Sequence, residues 1–402
     1  MPPIPTHAQL PEPSAEARAV SARLAALIAD EIEQAGGVIP FSRFMELALY
    51  APGLGYYSAG SHKIGAAGDF ITAPELSPLF SRCVARALAP ALRMLGAEAA
   101  VLEVGAGSGA MAADMLRQWR DEGCLPARYY ILERSAELRA RQQASLAALD
   151  APLRERIAWL DSLPGDFVGV VVANELLDAL PVERFVVRGG ALRRLGVGLE
   201  DGRFAWREQD EVGAELAARF AQLREEHGAT MAEGYVSELG LAAEQWTASV
   251  ARMLTRGLLL LIDYGFPAHE FYHAQRSQGT LMCHYRHHAH DDPFAFVGLQ
   301  DITAHVDFSA VARAAGEAGM RLAGYTNQAN FLLGSGITEL ASAVNPVDTR
   351  AQLEIAAQLK RLTLPHEMGE LFKVIALARD CECDIPGFQI RDFGAALAAR
   401  PG

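Results

Sequence analysis

The feature that most constrains this chain is a strand that runs straight into a glycine turn. An apolar run from Ala99 ends in Glu103-Val104 and breaks into Gly105-Ala106-Gly107-Ser108-Gly109. Glycines there let the backbone turn tightly and let a ligand approach without Cβ atoms in the way. A helical pattern at about Ser108–Arg120 completes a strand–turn–helix unit of nucleotide-binding type. Short apolar runs and helical patterns keep alternating downstream. Tyr129–Glu133, Ile157–Leu160, Val168–Ala173 and Leu258–Asp263 read as strands, with helices at about Ser135–Leu149 and Asn174–Leu180. That alternation specifies a parallel sheet. Arg321–Tyr325 and Phe372–Ala378 add two strands, so the expected fold is α/β, a Rossmann-like, doubly wound, mostly parallel seven-stranded sheet.

The flanks follow other rhythms. Residues 1–15 are proline-rich and read as a disordered lead-in, and 16–96 read as a helical and loop cap. Within that cap Val20, Leu24, Leu27, Ile28 and Ile32 stripe a helix that Gly36-Gly37 stops. A second helix spans Phe41 to Tyr50. The stretch from Pro52 to Glu75, dense in glycine and aromatics, has the length and character of a functional loop. Ser77-Pro78 then opens a helix that Pro90 is expected to kink or end. Residues 183–208 read as a meander with turns at Gly189-Gly190 and Glu200-Asp201-Gly202, followed by two amphipathic helices. The core is therefore assigned to 97–189 and 256–402, with 190–255 as an inserted α+β segment that serves a substrate or a homodimer contact.

At 402 residues the chain exceeds what one compact core usually supports. Its 36 basic and 49 acidic residues leave a formal charge of −13, which argues against a nucleic-acid partner. Five cysteines form no C-x-x-C pair, so neither a disulfide framework nor a zinc knuckle is indicated. The longest apolar run, Gly257 to Ile262, cannot cross a bilayer, so no membrane insertion is expected. The opening residues have the pattern of neither a secretory nor a mitochondrial signal, which favours a bacterial cytoplasmic setting over a mitochondrial matrix.

The glycine turn alone leaves two ligands open, because Gly105-x-Gly107-x-x-Ala110 also satisfies the looser dinucleotide fingerprint. Charge separates them. Glu103 can accept from the ammonium of a methionine moiety but repels a pyrophosphate, which points to S-adenosyl-L-methionine rather than NAD. Glu133, at the end of the next strand, can accept both hydroxyls of a ribose. Asp161, after the third strand, reads equally as an adenine-binding group and as an ordinary loop aspartate.

Ligands of open α/β sheets bind beyond the carboxyl ends of the strands, so Asn174, Glu175 and Asp178 point at the site where a methyl acceptor would lie. The alternative makes Asn174 an N-cap and the two acids first-turn partners of a helix dipole. Methyl transfer is an in-line displacement that needs alignment and charge more than a covalent nucleophile. Asp263-Tyr264-Gly265 occupies another carboxyl-end position. The run His284, His287, His288 and His290 fits no metal-ligand spacing, and no metal is assigned.

Six strings together resemble the MidA-type methyltransferases, a family that includes a mitochondrial complex I assembly factor. They are Gly68-Asp69-Phe70-x-Thr72-x-Pro74-Glu75-x-Ser77, the Glu103–Gly109 loop, Asn174-Glu175-x-x-Asp178-Ala179-Leu180-Pro181-Val182, Asp263-Tyr264-Gly265, Gly279-Thr280-Leu281, and Gln300 to Phe308. The resemblance covers about Ala35 to Asp380 and implies a class I methyltransferase fold with S-adenosyl-L-methionine as cofactor. It implies cofactor binding by Asp69, Thr72 and Pro74 beside Glu103, Gly105, Ala106, Gly107, Gly109, Glu133 and Asp161, and catalysis by Asn174, Glu175, Asp178 and Glu75. It further implies a protein arginine as acceptor, on a partner such as a complex I subunit. Two other readings stay open, a small-molecule or other side-chain acceptor, and an assembly factor that binds the cofactor without turnover.

Overall fold

The computed structural model describes residues 10–58, 71–343 and 348–398. The sheet expected from the sequence is present. Its strands are β1 (Ala100–Val104), β2 (Tyr129–Leu132), β3 (Ile157–Leu160), β4 (Phe167–Asn174), β5 (Leu254–Phe266), β6 (Arg321–Asn327) and β7 (Phe372–Arg379). They lie in the order β3-β2-β1-β4-β5-β7-β6, and only β7 runs antiparallel to its neighbours. A two-residue strand, Val306–Asp307, pairs in parallel with the end of β5. This is a class I methyltransferase topology, with β1 and β4 side by side where the winding reverses.

Side chains alternate across the sheet. Val170 and Val172 of β4, with Leu258 and Leu260 of β5, face the helices Pro78–Leu95 and Ala110–Asp121. Val171, Ala173, Leu259 and Leu261 face the helices Leu241–Met253 and Phe308–Glu317. With both faces covered, the central strands can be apolar throughout. The helix opening at Pro78 continues through Pro90 to Leu95 instead of ending there. Burying Leu88, Leu92 and Leu95, at roughly 1.5–3 kcal/mol each, outweighs the roughly 3 kcal/mol cost of an interior proline.

Three boundaries differ from the sequence reading. Residues 1–9 lie outside the described residues, but residues 10–15 are ordered. Leu10 packs with Tyr285 and Ala295, and Ser14 caps the helix Ala15–Gln34. The inserted part begins at Glu183, not 190, because Glu183–Arg188 pairs with Ala191–Glu200 in a second sheet. That sheet also holds Arg203–Gln209, Val236–Leu239 and the N-terminal strand Val38–Pro40, whose register sets Ile39 opposite Val197. The helices Leu241–Met253 and Pro78–Leu95 belong to the core, since their apolar faces are buried on the main sheet.

The expected helix Asn174–Leu180 does not form. Asn174 ends β4 and the chain turns sharply, with Glu175 in the left-handed region at φ 51°. The amides of Leu176, Leu177 and Asp178 bind the Asp263 carboxylate instead of entering a helical ladder. A third small sheet, with Met282–Tyr285 between His288–His290 and Asp301–Thr303, holds most of the histidine run and sits beside this turn.

Candidate active site

Above the carboxyl ends of β1, β2, β4 and β5 lies a cavity of about 1370 Å³. Drug-sized ligands occupy pockets of about 300–1,000 Å³, so this one has room for a nucleoside cofactor and an acceptor group together.

One half is the glycine turn. Gly105, Gly107 and Gly109 have φ of 73°, 54° and 84°, a region that costs other residues strain. A Cβ on Gly105 would stand 3.1 Å from Leu176 Cδ1, so the loop is packed as well as turned. Glu103, 1% exposed, accepts a hydrogen bond on Oε2 from the Tyr129 hydroxyl at 2.7 Å. Burial pushes its carboxyl up to about 7 against that bond. Glu133 accepts from the Ser135 amide at 2.9 Å and from Gln142 Nε2 at 3.0 Å. Each carboxylate oxygen keeps a lone pair for a further donor. Gln142, fully buried, also donates to the Gly107 carbonyl and accepts from Trp159 Nε1, so one amide ties β3, the glycine turn and Glu133 together.

The other half is acidic and aromatic. Asn174 Nδ2 donates to Glu175 Oε1 at 3.0 Å, while Asn174 Oδ1 is buried without a hydrogen-bond partner among the described residues. Asp178 Oδ2 accepts from the Tyr264 hydroxyl, and its Oδ1 is likewise buried and unpartnered. Burial and the nearby Asp178 push Glu175 up to about 8, and burial raises Asp178 too. Asp301 takes the Tyr57 hydroxyl on both oxygens, at 3.0 and 3.1 Å. Tyr50 stacks on Tyr57 at 5.5 Å and donates to the Ala179 carbonyl. His305 lies flat on Phe266 and edge-on to Tyr264, and burial lowers its ring to about 4, so it is neutral.

Ala106, Thr72, Pro74, Asn174, Glu175 and Asp178 line the cavity with Gly105 and Gly107, whereas Gly109 does not line it and packs against Leu146 instead. Glu75 also lines it, but its carboxylate accepts from the Ser108 hydroxyl, which places it against the cofactor turn rather than with Glu175 and Asp178. Asp161 stands at the rim, its side chain 88% exposed and paired with Arg139. Asp69 lies outside the described residues. The N-cap alternative for Asn174 fails with the helix it required. The sequence did not mark Tyr129 or Gln142, and it marked the segments of Tyr57 and Asp301 without their pairing. A tyrosine opening a buried strand needs a hydroxyl partner, and that signal could have found Tyr129. Nothing local marks the Tyr57–Asp301 pair, 244 residues apart.

The glycine turn, an acid at each of two successive strand ends and unpartnered acceptors in the wall suit a cofactor with a ribose and a cationic head. Residues 83–326 match the family described as "Putative S-adenosyl-L-methionine-dependent methyltransferase". The human mitochondrial protein named protein arginine methyltransferase NDUFAF7 is 27% identical over 373 residues, which cover 85% of this chain and 80% of the relative. Its Caenorhabditis elegans homolog is 26% identical, covering 85% and 83%. A crystal structure from Burkholderia thailandensis bound to S-adenosyl-homocysteine is 47% identical, covers 97% of this chain and 100% of that one, and superposes with a TM-score of 0.92.

Proposed function

Since the chain belongs to this S-adenosyl-L-methionine-dependent methyltransferase family, we propose that the group it methylates is the guanidinium of an arginine on a protein. The observation that carries the reading is the pair of buried, unpartnered oxygens, Asn174 Oδ1 and Asp178 Oδ1, beside Glu175. A guanidinium is planar, always charged and presents five donors in a fork, so it can satisfy several such acceptors at once. The names of the curated relatives support the same acceptor.

Glu103 and Glu133 would hold the cofactor's ammonium and ribose, and the Gly105–Gly109 turn would admit it. Bound there, S-adenosyl-L-methionine supplies an electrophilic methyl group on a sulfonium. Asn174 and Asp178 then orient one guanidinium nitrogen, and the buried setting strengthens each of these contacts. Transfer would form the N–C bond as the sulfonium's S–C bond breaks, leaving a neutral thioether, and a Glu175 oxygen would take the proton that the nitrogen gives up. A carboxyl with a pKa near the working pH suits that duty. The stacked Tyr50 and Tyr57 offer a face on which a guanidinium can lie.

The test uses methyl-tritiated S-adenosyl-L-methionine and protein extract from cells lacking the gene, with a complex I subunit as the first purified acceptor to try. Label recovered as methylarginine after hydrolysis, and reduced at least tenfold with Glu175→Gln, is expected. Label found only in methyl-lysine or in a small molecule would sink the arginine reading and leave methyl transfer standing.

A further inference from the structure

The turn that carries Glu175 is held in shape by a side chain from the neighbouring strand. Asp263, at the end of β5 and 1% exposed, accepts on Oδ2 from three successive amides, Leu176 at 3.2 Å, Leu177 at 2.9 Å and Asp178 at 3.2 Å. Its Oδ1 accepts from the Tyr264 amide at 2.9 Å. Backbone amides can only donate. Four of them converging on both oxygens are best met by an ionised carboxylate, because a protonated acid turns one oxygen into a donor. Burial and the nearby Asp178 and Glu175 raise the Asp263 carboxyl well above the usual carboxylate range, and the amides oppose that rise, the ionised form being the one that fits four donors on its two oxygens.

Its neighbours are held differently. Glu175 receives the Asn174 amide and the Ala73 backbone N–H, and Asp178 receives the Tyr264 hydroxyl, with the backbone N–H groups of Ala179 and of Asp178 itself also favouring its charged form. The charged and titratable groups around Glu175 are Asp178 on its own turn, Asp263 and Tyr264 from β5, and Asp301 from the small sheet. Four N–H groups on Asp263 oppose its protonation more than the fewer donors on Glu175 oppose its own.

We propose that Asp263 is a positioning residue for methyl transfer. Through three amides it fixes the left-handed backbone at Glu175, and through its charge it sets how tightly Glu175 holds a proton. The second role rests on the reading of Glu175 as proton acceptor. Asp263 makes no hydrogen bond to a residue of the glycine turn, and its one route there is Leu176, which packs on Gly105, so cofactor affinity is the control that separates the two effects.

The experiment follows the carboxyl carbon of Glu175 by NMR in protein labelled at the glutamate side-chain carboxyl, the signal being assigned by its loss in Glu175→Gln. Asp263→Asn and Asp263→Ser each remove the charge and keep an acceptor for the amides. Either variant should bind S-adenosyl-L-methionine within about threefold of the natural protein by calorimetry, while the Glu175 midpoint falls by about one pH unit. An unchanged midpoint in a variant that binds the cofactor overturns the proposal, since a purely structural carboxylate would leave the titration where it was. Loss of cofactor binding in both variants also overturns it, in favour of a role confined to folding. If Glu175 in the natural protein titrates at the ordinary glutamate position, the proton-acceptor reading fails separately, whatever the Asp263 variants do.

Discussion

A carboxyl buried beside a tyrosine hydroxyl, as Glu103 is, titrates where an enzyme works, and that gives cofactor binding a pH dependence of definite sign. Its folded pKa is raised to about 7, so below that pH the group is mostly neutral. A cationic ammonium prefers the carboxylate, so binding expels a proton. Affinity for S-adenosyl-L-methionine is expected to tighten up to about fivefold from pH 6 to pH 7, by a further factor of about two to pH 8, and to level off above that. Calorimetry in buffers of different ionisation enthalpy measures both the slope and the proton. A flat profile, or one unchanged in Glu103→Gln, would remove the ammonium role. Glu175 gives a second prediction. Its folded pKa of about 8 lies above the ordinary glutamate value, so the native state binds more protons than the unfolded one between those limits. Stability from this group is present at low pH and is lost as pH rises through about 8. Glu175→Gln should therefore raise the melting temperature at pH 8, by roughly 1–2 kcal/mol of stability, while methyl transfer collapses. Equal melting at pH 5 and pH 8 in both proteins would contradict this.

Elements were legible in the sequence where local pattern and tertiary demand agree. The strands β3, β4 and β5 were marked by apolar runs, and the helix Ala15–Gln34 by the stripe of Leu24, Ile28 and Ile32, because packing there rewards what the local chain already favours. The segment after Asn174 reads as a helix because nothing within it reveals that Asp263, some 85 residues on, captures its amides. The glycine turn was legible because its demand is local. Gly105→Ala places a Cβ at φ 73° and 3.1 Å from Leu176 Cδ1. We expect about 1–2 kcal/mol of lost stability, together with a cofactor affinity at least tenfold weaker, read by denaturant unfolding and calorimetry. A variant as stable and as tight as the natural protein would show that the turn has slack. The partners of Gln142 and Asp301 were illegible for the opposite reason. Their hydrogen bonds close between separate elements, and buried polar pairs leave no periodicity.

Across the whole molecule most acids of the site hang on the main sheet and its tyrosine wall on the second. The cofactor acids sit at the ends of β1 and β2, whereas Tyr50 and Tyr57 follow the N-terminal strand Val38–Pro40, which is tied to the inserted strand Ala191–Glu200. The apolar cluster beneath that second sheet joins Ile39, Phe41, Phe44 and Tyr56 to Val197, so the N-terminal segment and the insertion form one body despite their distance in sequence. No helix among the described residues is long and apolar enough to cross a membrane. The tyrosine wall can be disturbed without touching the strands that carry Glu103 and Glu133. Gly196 allows the close approach of the two strands, since a Cβ there would lie 2.7 Å from both the Ile39 carbonyl and Val38 Cγ1. Gly196→Val should push Val38–Pro40 off the sheet and shift the tyrosine wall while leaving β1 and β2 in place. The expected outcome is an affinity for S-adenosyl-L-methionine within about threefold of the natural protein, with methyl transfer reduced at least tenfold. If both fall together, the second sheet supports the cofactor half as well. If neither falls, the tyrosine wall takes no part in positioning the acceptor, and the acidic turn after β4 holds it alone.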